Sequence, residues 1–389
     1  MFLTRYYLYQ AAATSTFFQA IFFPYYEQRA GLAVSTILLL QAGNTGLRAC
    51  LDMPFGALAD RWSRRLCMAA SSSGILVGAA LLLVWPSLVT ACIAEALFAM
   101  AAALRSGADS ALLFDTLRAD GHVERYPAAE SRGQAVAAIG SGATAVLGGL
   151  MASVDLRLPY LATIVLSVVG VVVALRLDDR RPADGARRRE RGHMGEAARF
   201  ALHTPAVRWS MAVAVIAVTA SHVFYFLQQP YLQAIGVPVA VFGVVFALTK
   251  LVTAWVASLA HRVDHALGQR RTTALMLAMP VIGLGGMVFA TTPIAAAWIL
   301  TRGVLDGLWM PLANVYVNRR VDSRLRATLL SLQSVLARLT LAAALGLLGL
   351  ATTRLALSTT FAIAAIGVAA TGVGLVLIAP RVPCREDSV

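Results

Sequence analysis

Twelve apolar runs, each long enough to cross a lipid bilayer, constrain this chain more than any other feature. A spanning helix needs about 20 mostly apolar residues. On that measure the first half yields Tyr6 to Tyr25, Leu32 to Phe55, Leu66 to Trp85, Leu88 to Leu113, Gln134 to Val154, and Leu158 to Leu175. The second half yields Val207 to Leu227, Val239 to Ala260, Thr272 to Thr291, Ile294 to Val317, Ala327 to Leu350, and Leu357 to Ile378. These are helices 1 to 12 below. Only 14% of the 389 residues are charged, against about 25% in a soluble protein. An all-α polytopic membrane protein is expected.

Charge placement sets the topology. A net charge of +13 could suit nucleic acid, but that reading needs a soluble basic face. Here the arginines fall in short clusters between apolar runs. Arg5, the 2–3, 4–5, 6–7, 8–9 and 10–11 loops and the tail hold 25 basic residues, and the opposite side holds Arg29, Arg157 and Arg354. The positive-inside rule then puts both ends in the cytoplasm of a cell's inner membrane. The basic stretch 178–206 separates two expected bundles, residues 1–177 and 207–389. Cys50, Cys67, Cys92 and Cys384 show no paired spacing and read as small hydrophobes. The first run lacks a small-residue cleavage site and reads as a retained helix.

The two bundles echo each other. Leu58-Ala59-Asp60-Arg61 with Arg64-Arg65 has a worn counterpart in Leu259-Ala260-His261-Arg262 with Arg270-Arg271. Arg105-x-x-x-Asp109 in helix 4 recurs as Arg302-x-x-x-Asp306 in helix 10. Weak internal symmetry of this kind is found in paired transporter halves.

Gly56-Ala57-Leu58-Ala59-Asp60-Arg61-Trp62-Ser63-Arg64-Arg65 resembles the helix 2–3 signature of the major facilitator superfamily, with Ser63 in place of the second glycine. The Asp52-x-Pro54-x-Gly56 lead-in and Ser106 to Asp115 resemble one bacterial permease branch of it. The resemblance implies two six-helix bundles. It also implies a cytoplasmic gate loop in which Gly56, Asp60, Arg61, Arg64 and Arg65 latch the outward-facing state, with Asp115 the nominated acid partner. Independently, Gly56 lets helix 2 approach a neighbour closely, and the arginines can pair with acids at helix ends. Gly140 and Gly148-Gly149 in helix 5 resemble the superfamily's antiporter glycines, but Thr144-Ala145 stand where glycine-proline is expected. That leans only weakly toward export.

Charges inside the membrane are expensive, about 2.5–3.5 kcal/mol each on insertion scales. Arg48 and Asp52, Arg105 and Asp109, and Arg302 and Asp306 are each spaced to neutralise one another on a helix face. Arg48–Asp52 reads as a structural pair. For the other two, the resemblance adds that helices 1, 4, 7 and 10 line a central cavity, making Arg105 and Arg302 substrate candidates and Asp109 and Asp306 proton candidates. Lys250 and Arg338 have no local acid. Lys250 is the one lysine against 32 arginines, and an ammonium, unlike a guanidinium, can give up its proton. Glu95 has no basic residue within helical reach, so taking up a proton is its cheapest way to exist there. Glu95 and Asp109 are the first proton-coupling candidates, with His222, which titrates near neutral pH, as a lesser one.

Gln19 in helix 1 and Tyr225 and Gln229 in helix 7 are further cavity candidates, beside Thr14, Ser221 and Gln228. Phe17, Phe18, Phe22, Trp255 and Trp309 supply apolar walls suited to an amphipathic solute. No Walker glycine loop, metal-spaced cluster or nucleophile triad appears, so no cofactor, metal or enzymatic activity is expected. The expected protein is a monomeric secondary transporter exporting a small organic compound by proton coupling. The alternatives are an importer of an anionic or zwitterionic nutrient, with Lys250, Arg302 and Arg338 as its ligands, and a non-transporting sensor or lipid-handling enzyme on the same scaffold.

Overall fold

The computed structural model describes residues 2–179, 199–201, 203–318 and 323–379. Most of the 178–206 linker lies outside the described residues, as do the side chains of Asp60 and Arg61. Among the described residues all regular structure is helical.

Helix 2 is Val34–Arg61, helix 3 Arg64–Val84, helix 4 Leu88–Ala119, helix 5 Tyr126–Val154 and helix 6 Leu158–Leu175. Helix 7 is Pro205–Ala234, helix 11 Ser323–Thr352 and helix 12 Leu357–Leu377. Among the described residues, eight helical stretches are long and apolar enough to cross a membrane: helices 3 to 7, helices 11 and 12, and Val239–Phe289. Helices 1, 2, 8, 9 and 10 account for the differences from expectation.

Helix 1 is not continuous. It comprises Phe2–Thr14 and Phe22–Ala30, with a 3-10 turn Phe17–Ala20 between them. Thr14 bonds back to the Gln10 carbonyl (2.6 Å), a habit that competes with the helix ladder, and Pro24 in the second piece has no N–H to give. A break inside a membrane survives only if its backbone groups find partners. They do: Phe17 N–H donates to Thr163 Oγ1 of helix 6 (3.0 Å), and Phe23 N–H to Gln229 Oε1 of helix 7 (3.1 Å).

Helices 8 and 9 form one helical stretch, Val239–Phe289, interrupted at Gly268. Its φ of 75° lies in the left-handed region that only glycine enters cheaply, so the expected loop from 261 to 271 is largely helical. Helix 10 starts as a 3-10 turn, Pro293–Ile299, and continues as Leu300–Asn318. Helix 2 runs on through the signature to Arg61, so the expected gate loop is a turn of Trp62 and Ser63 alone. The apolar run measures the hydrocarbon, not the helix, which continues where its charged residues reach water.

Close crossings hold each group of six together. A Cβ on Gly107 of helix 4 would lie 3.1 Å from the Gly56 Cα of helix 2, so two glycines let these backbones meet. The related crossing of helices 8 and 10 sets Gly303 and Gly307 against the carbonyls of Thr249 and Thr253, each 2.7 Å from where a Cβ would be. Ser71 donates to the Ala101 carbonyl (2.7 Å), tying helix 3 to helix 4. Helices 5 and 8, 2 and 11, and 1 and 7 join the first six helices to the last six.

Gly107→Val should destabilise the protein by about 1–3 kcal/mol, the usual cost of overpacking. Gly142→Ala, with nothing within 4 Å of its Cβ position, should leave the thermal midpoint in detergent unchanged or higher. Equal losses would disprove the close crossing.

At the loop between helices 5 and 6, Asp155 accepts the Arg157 N–H (2.9 Å) and pairs with Arg29 (2.9 Å). The Arg157 N–H first, and then Arg29, hold its carboxyl below the usual carboxylate range. A carboxyl lowered on folding contributes stability that is present above its unfolded value, near 3.9, and lost as pH falls through the folded one. Asp155→Asn should therefore lower the melting temperature at pH 7, and the difference from wild type should shrink below about pH 4.

Candidate functional site

A cavity of about 260 Å³ lies midway along the helices. Helix 1 and its break contribute Ala13, Thr14, Thr16, Phe18 and Gln19, helix 3 Ser71 and Ile75, and helix 4 Phe98, Ala102 and Arg105. Residues of the break, Thr16, Phe18 and Gln19, thus form one wall of this space. Phe18 stacks between Phe98 (5.4 Å) and Tyr160 (4.8 Å), forming the apolar wall. Gln19 and Arg105 are therefore together, as expected of cavity residues. Of the other expected walls, Trp255 is 67% exposed and Trp309 is tied to an acid.

Helix 7 closes one side. Tyr225 Oη and Gln229 Nε2 both donate to the Gln19 carbonyl, at 3.2 and 3.0 Å. Gln229, expected to touch substrate, spends both ends of its amide on the helix 1 break. Gly148 of helix 5 packs on the Phe17 carbonyl, Gly140 on Ser15 and Gly149 on the Ala240 carbonyl. These glycines are explained by packing against helices 1 and 8.

The intramembrane pairs differ from their spacing. Arg48 Nε is a loose 3.9 Å from Asp52, whose main partner is Arg338, reaching across from helix 11. Arg338, expected to lack an acid, has one on the other bundle. Arg302 pairs with Asp306 at 3.3 Å, and Ser221 and Trp309 also donate to that carboxylate. Arg302 lies 5.5 Å from the centroid of the Tyr225 ring, with its Nε and second terminal nitrogen unbonded. Arg105 and Asp109 make no salt-bridge contact despite identical spacing, although Arg105 acts on Asp109 electrostatically. Asp109 instead accepts the Ser110 N–H (2.7 Å) and a long bond from Gln10 (3.5 Å). Lys250 is exposed, its Nζ 5.5 Å from the Phe246 centroid. His222 is also exposed, bonded to the Val218 carbonyl at 2.8 Å, and lies within electrostatic reach of Asp306, Arg302 and Arg48.

Glu95 is 7% exposed and accepts from Tyr26 (2.8 Å), Gln41 (2.7 Å) and Asn44 (2.8 Å), all neutral donors. Sequence reasoning missed Gln41 and Asn44, although two amides a turn apart in an apolar helix signal a buried polar partner.

At the face where helix 1 begins, Arg64 is buried against Asp115 and also reaches the Ala111 carbonyl. The nominated partner is thus in place, while Arg65 is exposed. Ser63, the departure from the signature, donates to Asp179 beyond helix 6 (2.6 Å). Arg5 reaches the Arg176 carbonyl (2.9 Å) nearby.

Asp115→Ala should cost about 3–5 kcal/mol, because it strands a buried arginine. Arg64→Met with Asp115→Leu should recover most of that in chemical denaturation. No recovery would mean that Arg64 acts through its carbonyl contact instead.

The family described as Major Facilitator Superfamily matches residues 8–347. Among solved structures, the nucleoside transporter NupG superposes with a TM-score of 0.79 at 10% identity, over 97% of this chain and 98% of that one. A POT family transporter in complex with 5-aminolevulinic acid gives 0.67 at 13% identity, over 98% and 94%. A bacterial homolog of the human lysosomal transporter Spinster, inward-facing and unoccupied, gives 0.66 at 15%, over 97% and 93%. No curated protein matches in sequence. The chain belongs to the Major Facilitator Superfamily, a multi-pass membrane fold whose relatives here are transporters rather than enzymes.

Proposed function

We propose that this superfamily member is a monomeric, proton-coupled secondary transporter of a small organic solute, working by alternating access. The reading places it in the cytoplasmic membrane with both termini inside, as two units, 1–177 and 207–389, joined by the basic linker 178–206. The observation that carries the coupling is Asp109. It sits one turn from the cavity-lining Arg105, which acts on it electrostatically without a salt-bridge contact, and its hydrogen bonds come from a backbone N–H and a long amide contact. A carboxyl so placed can exchange a proton with the cavity without first breaking a salt bridge.

The other acids fit the task less well. Asp306 is held by Arg302, Ser221 and Trp309. Glu95 is enclosed by three donors at the junction of helices 1, 2 and 4. In this proposal both position helices, and His222 is an auxiliary proton site facing the charges between the bundles. The Gly56 to Arg65 signature acts with Asp115 as a latch at the cytoplasmic face. Gln19, Tyr225 and Gln229 are the opposite gate. Packing accounts for the helix 5 glycines, so the proposal leaves out the export direction.

The test uses a solute found by thermal-shift screening of metabolites and antibiotics, with flux measured in proteoliposomes under an imposed pH gradient. Asp109→Asn should abolish gradient-driven accumulation while keeping solute counterflow within a few-fold of wild type. Glu95→Gln should keep the pH profile. Wild-type flux indifferent to pH would defeat the coupling, and an intact gradient response in Asp109→Asn would defeat the assignment.

A further inference from the structure

We propose that Glu130 of helix 5 is the second member of the proton site, coupled to Asp109 so that pH at the face where helix 1 begins governs when Asp109 gives up its proton. This inference rests on the proton-coupled reading and names the residue that links its acid to that face. Asp109 and Glu130 share their hydrogen-bond donors. Ser110 gives its N–H to Asp109 (2.7 Å) and its hydroxyl to Glu130 (2.9 Å). On the other side, Gln10 of helix 1 donates from Nε2 to the Tyr6 hydroxyl (2.8 Å) and, at 3.5 Å, to Asp109. Tyr6 in turn donates to Glu130 at 3.4 Å. The two acids thus belong to one closed ring drawn from helices 1, 4 and 5, with Tyr6 and Gln10 buried in it.

The two acids differ in access. Asp109 lies about 15 Å inside the end of helix 4 at Ala119, at about 1.5 Å per residue. Glu130 is in the second turn of helix 5, accepts from the exposed Gln134 (3.1 Å), and has exposed Ser131 and Arg132 beside it. Like charges in one site disfavour one another. Glu130 acts electrostatically on Asp109, and both acids act on Tyr6. The other groups facing them keep one charge state near neutral pH. Arg105 acts on Asp109 and stays cationic, Arg132 is exposed, and Tyr6 and Tyr126 are neutral phenols. The charge that varies is therefore that of Glu130. With Glu130 ionised, a second negative charge is disfavoured and Asp109 keeps its proton. When a proton from the helix 1 face forms an O–H bond at Glu130, the Asp109 O–H bond can break toward the cavity beside Arg105. The pair then carries the same charge as before, and one proton has been taken up while another has been released.

The experiment follows the carboxylic C=O band by infrared difference spectroscopy while the full chain in detergent is titrated with acid, without added solute. The part of the band missing in Asp109→Asn reports Asp109. Its midpoint should fall by about one pH unit in Glu130→Gln, a tenfold change in proton affinity, because a neighbouring negative charge has gone. Glu130→Asp keeps that charge and should stay closer to wild type. An unmoved or raised midpoint in Glu130→Gln, or an equal shift in both variants, would overturn the proposal. In proteoliposomes, the pH profile of gradient-driven accumulation should move the same way in Glu130→Gln. Infrared coupling beside wild-type flux indifferent to pH would sink the transport coupling and leave the acid pair. Gradient-driven flux that is lost in Asp109→Asn, beside an infrared midpoint that Glu130→Gln leaves unmoved, would do the reverse.

Discussion

Charge inside an apolar slab must be neutralised, hydrated or used, and the interior of this protein is arranged by that requirement. Each intramembrane charge costs about 2.5–3.5 kcal/mol on insertion scales, comparable to a good share of a domain's net stability. Asp52 meets it by joining helix 2 to Arg338 of helix 11, which makes a charge pair part of the contact between bundles. Asp306 meets it within helix 10, with Ser221 of helix 7 fixing the carboxylate. Glu95 meets it with dipoles alone, drawing Tyr26, Gln41 and Asn44 around one carboxyl. The helices are thus oriented by where their few polar side chains find partners, since lipid offers no hydrophobic reason for one apolar face to prefer another.

The fold was largely legible in the chain because the bilayer is a ruler. Apolar length gave most of the crossings, and the Gly56 to Arg65 stretch suggested the family. Even the partner of Arg64 could be named, since Asp115 is an acid at the end of the neighbouring helix. The site was less legible. Arg105-x-x-x-Asp109 and Arg302-x-x-x-Asp306 look identical in one dimension, yet only the second closes to a salt bridge. Ser221 and Trp309 also bond Asp306, whereas Asp109 takes its hydrogen bonds from the Ser110 N–H and Gln10. Spacing along a helix permits a pair, and side chains from other helices decide it. Arg338 is the converse case, lacking an acid on its own helix and finding one on the opposite bundle.

The interruption of helix 1 was the largest departure from expectation, because hydropathy counts apolar residues and is blind to broken backbone. Thr14 to Thr16 and Pro24 carried the signal, but each is tolerated in membrane helices when neighbours repair the ladder. Here the repair comes from helices 6 and 7. The broken stretch lines the cavity next to Arg105 and connects that cavity to the contact between bundles through one carbonyl.

In the proposed alternating access, that carbonyl ties the parting of helices 1 and 7 to water activity. The Gln19 carbonyl and the Phe23 N–H are satisfied by Tyr225 and Gln229 of the opposing bundle. Parting helices 1 and 7 strips these partners from backbone groups that cannot repair themselves by winding up. Each would stand bare in a low-dielectric slot unless a molecule arrives as the slot widens. Opening and wetting are then one event, so its barrier should rise under osmotic stress that withdraws water from narrow spaces, without any change in the solute or its gradient.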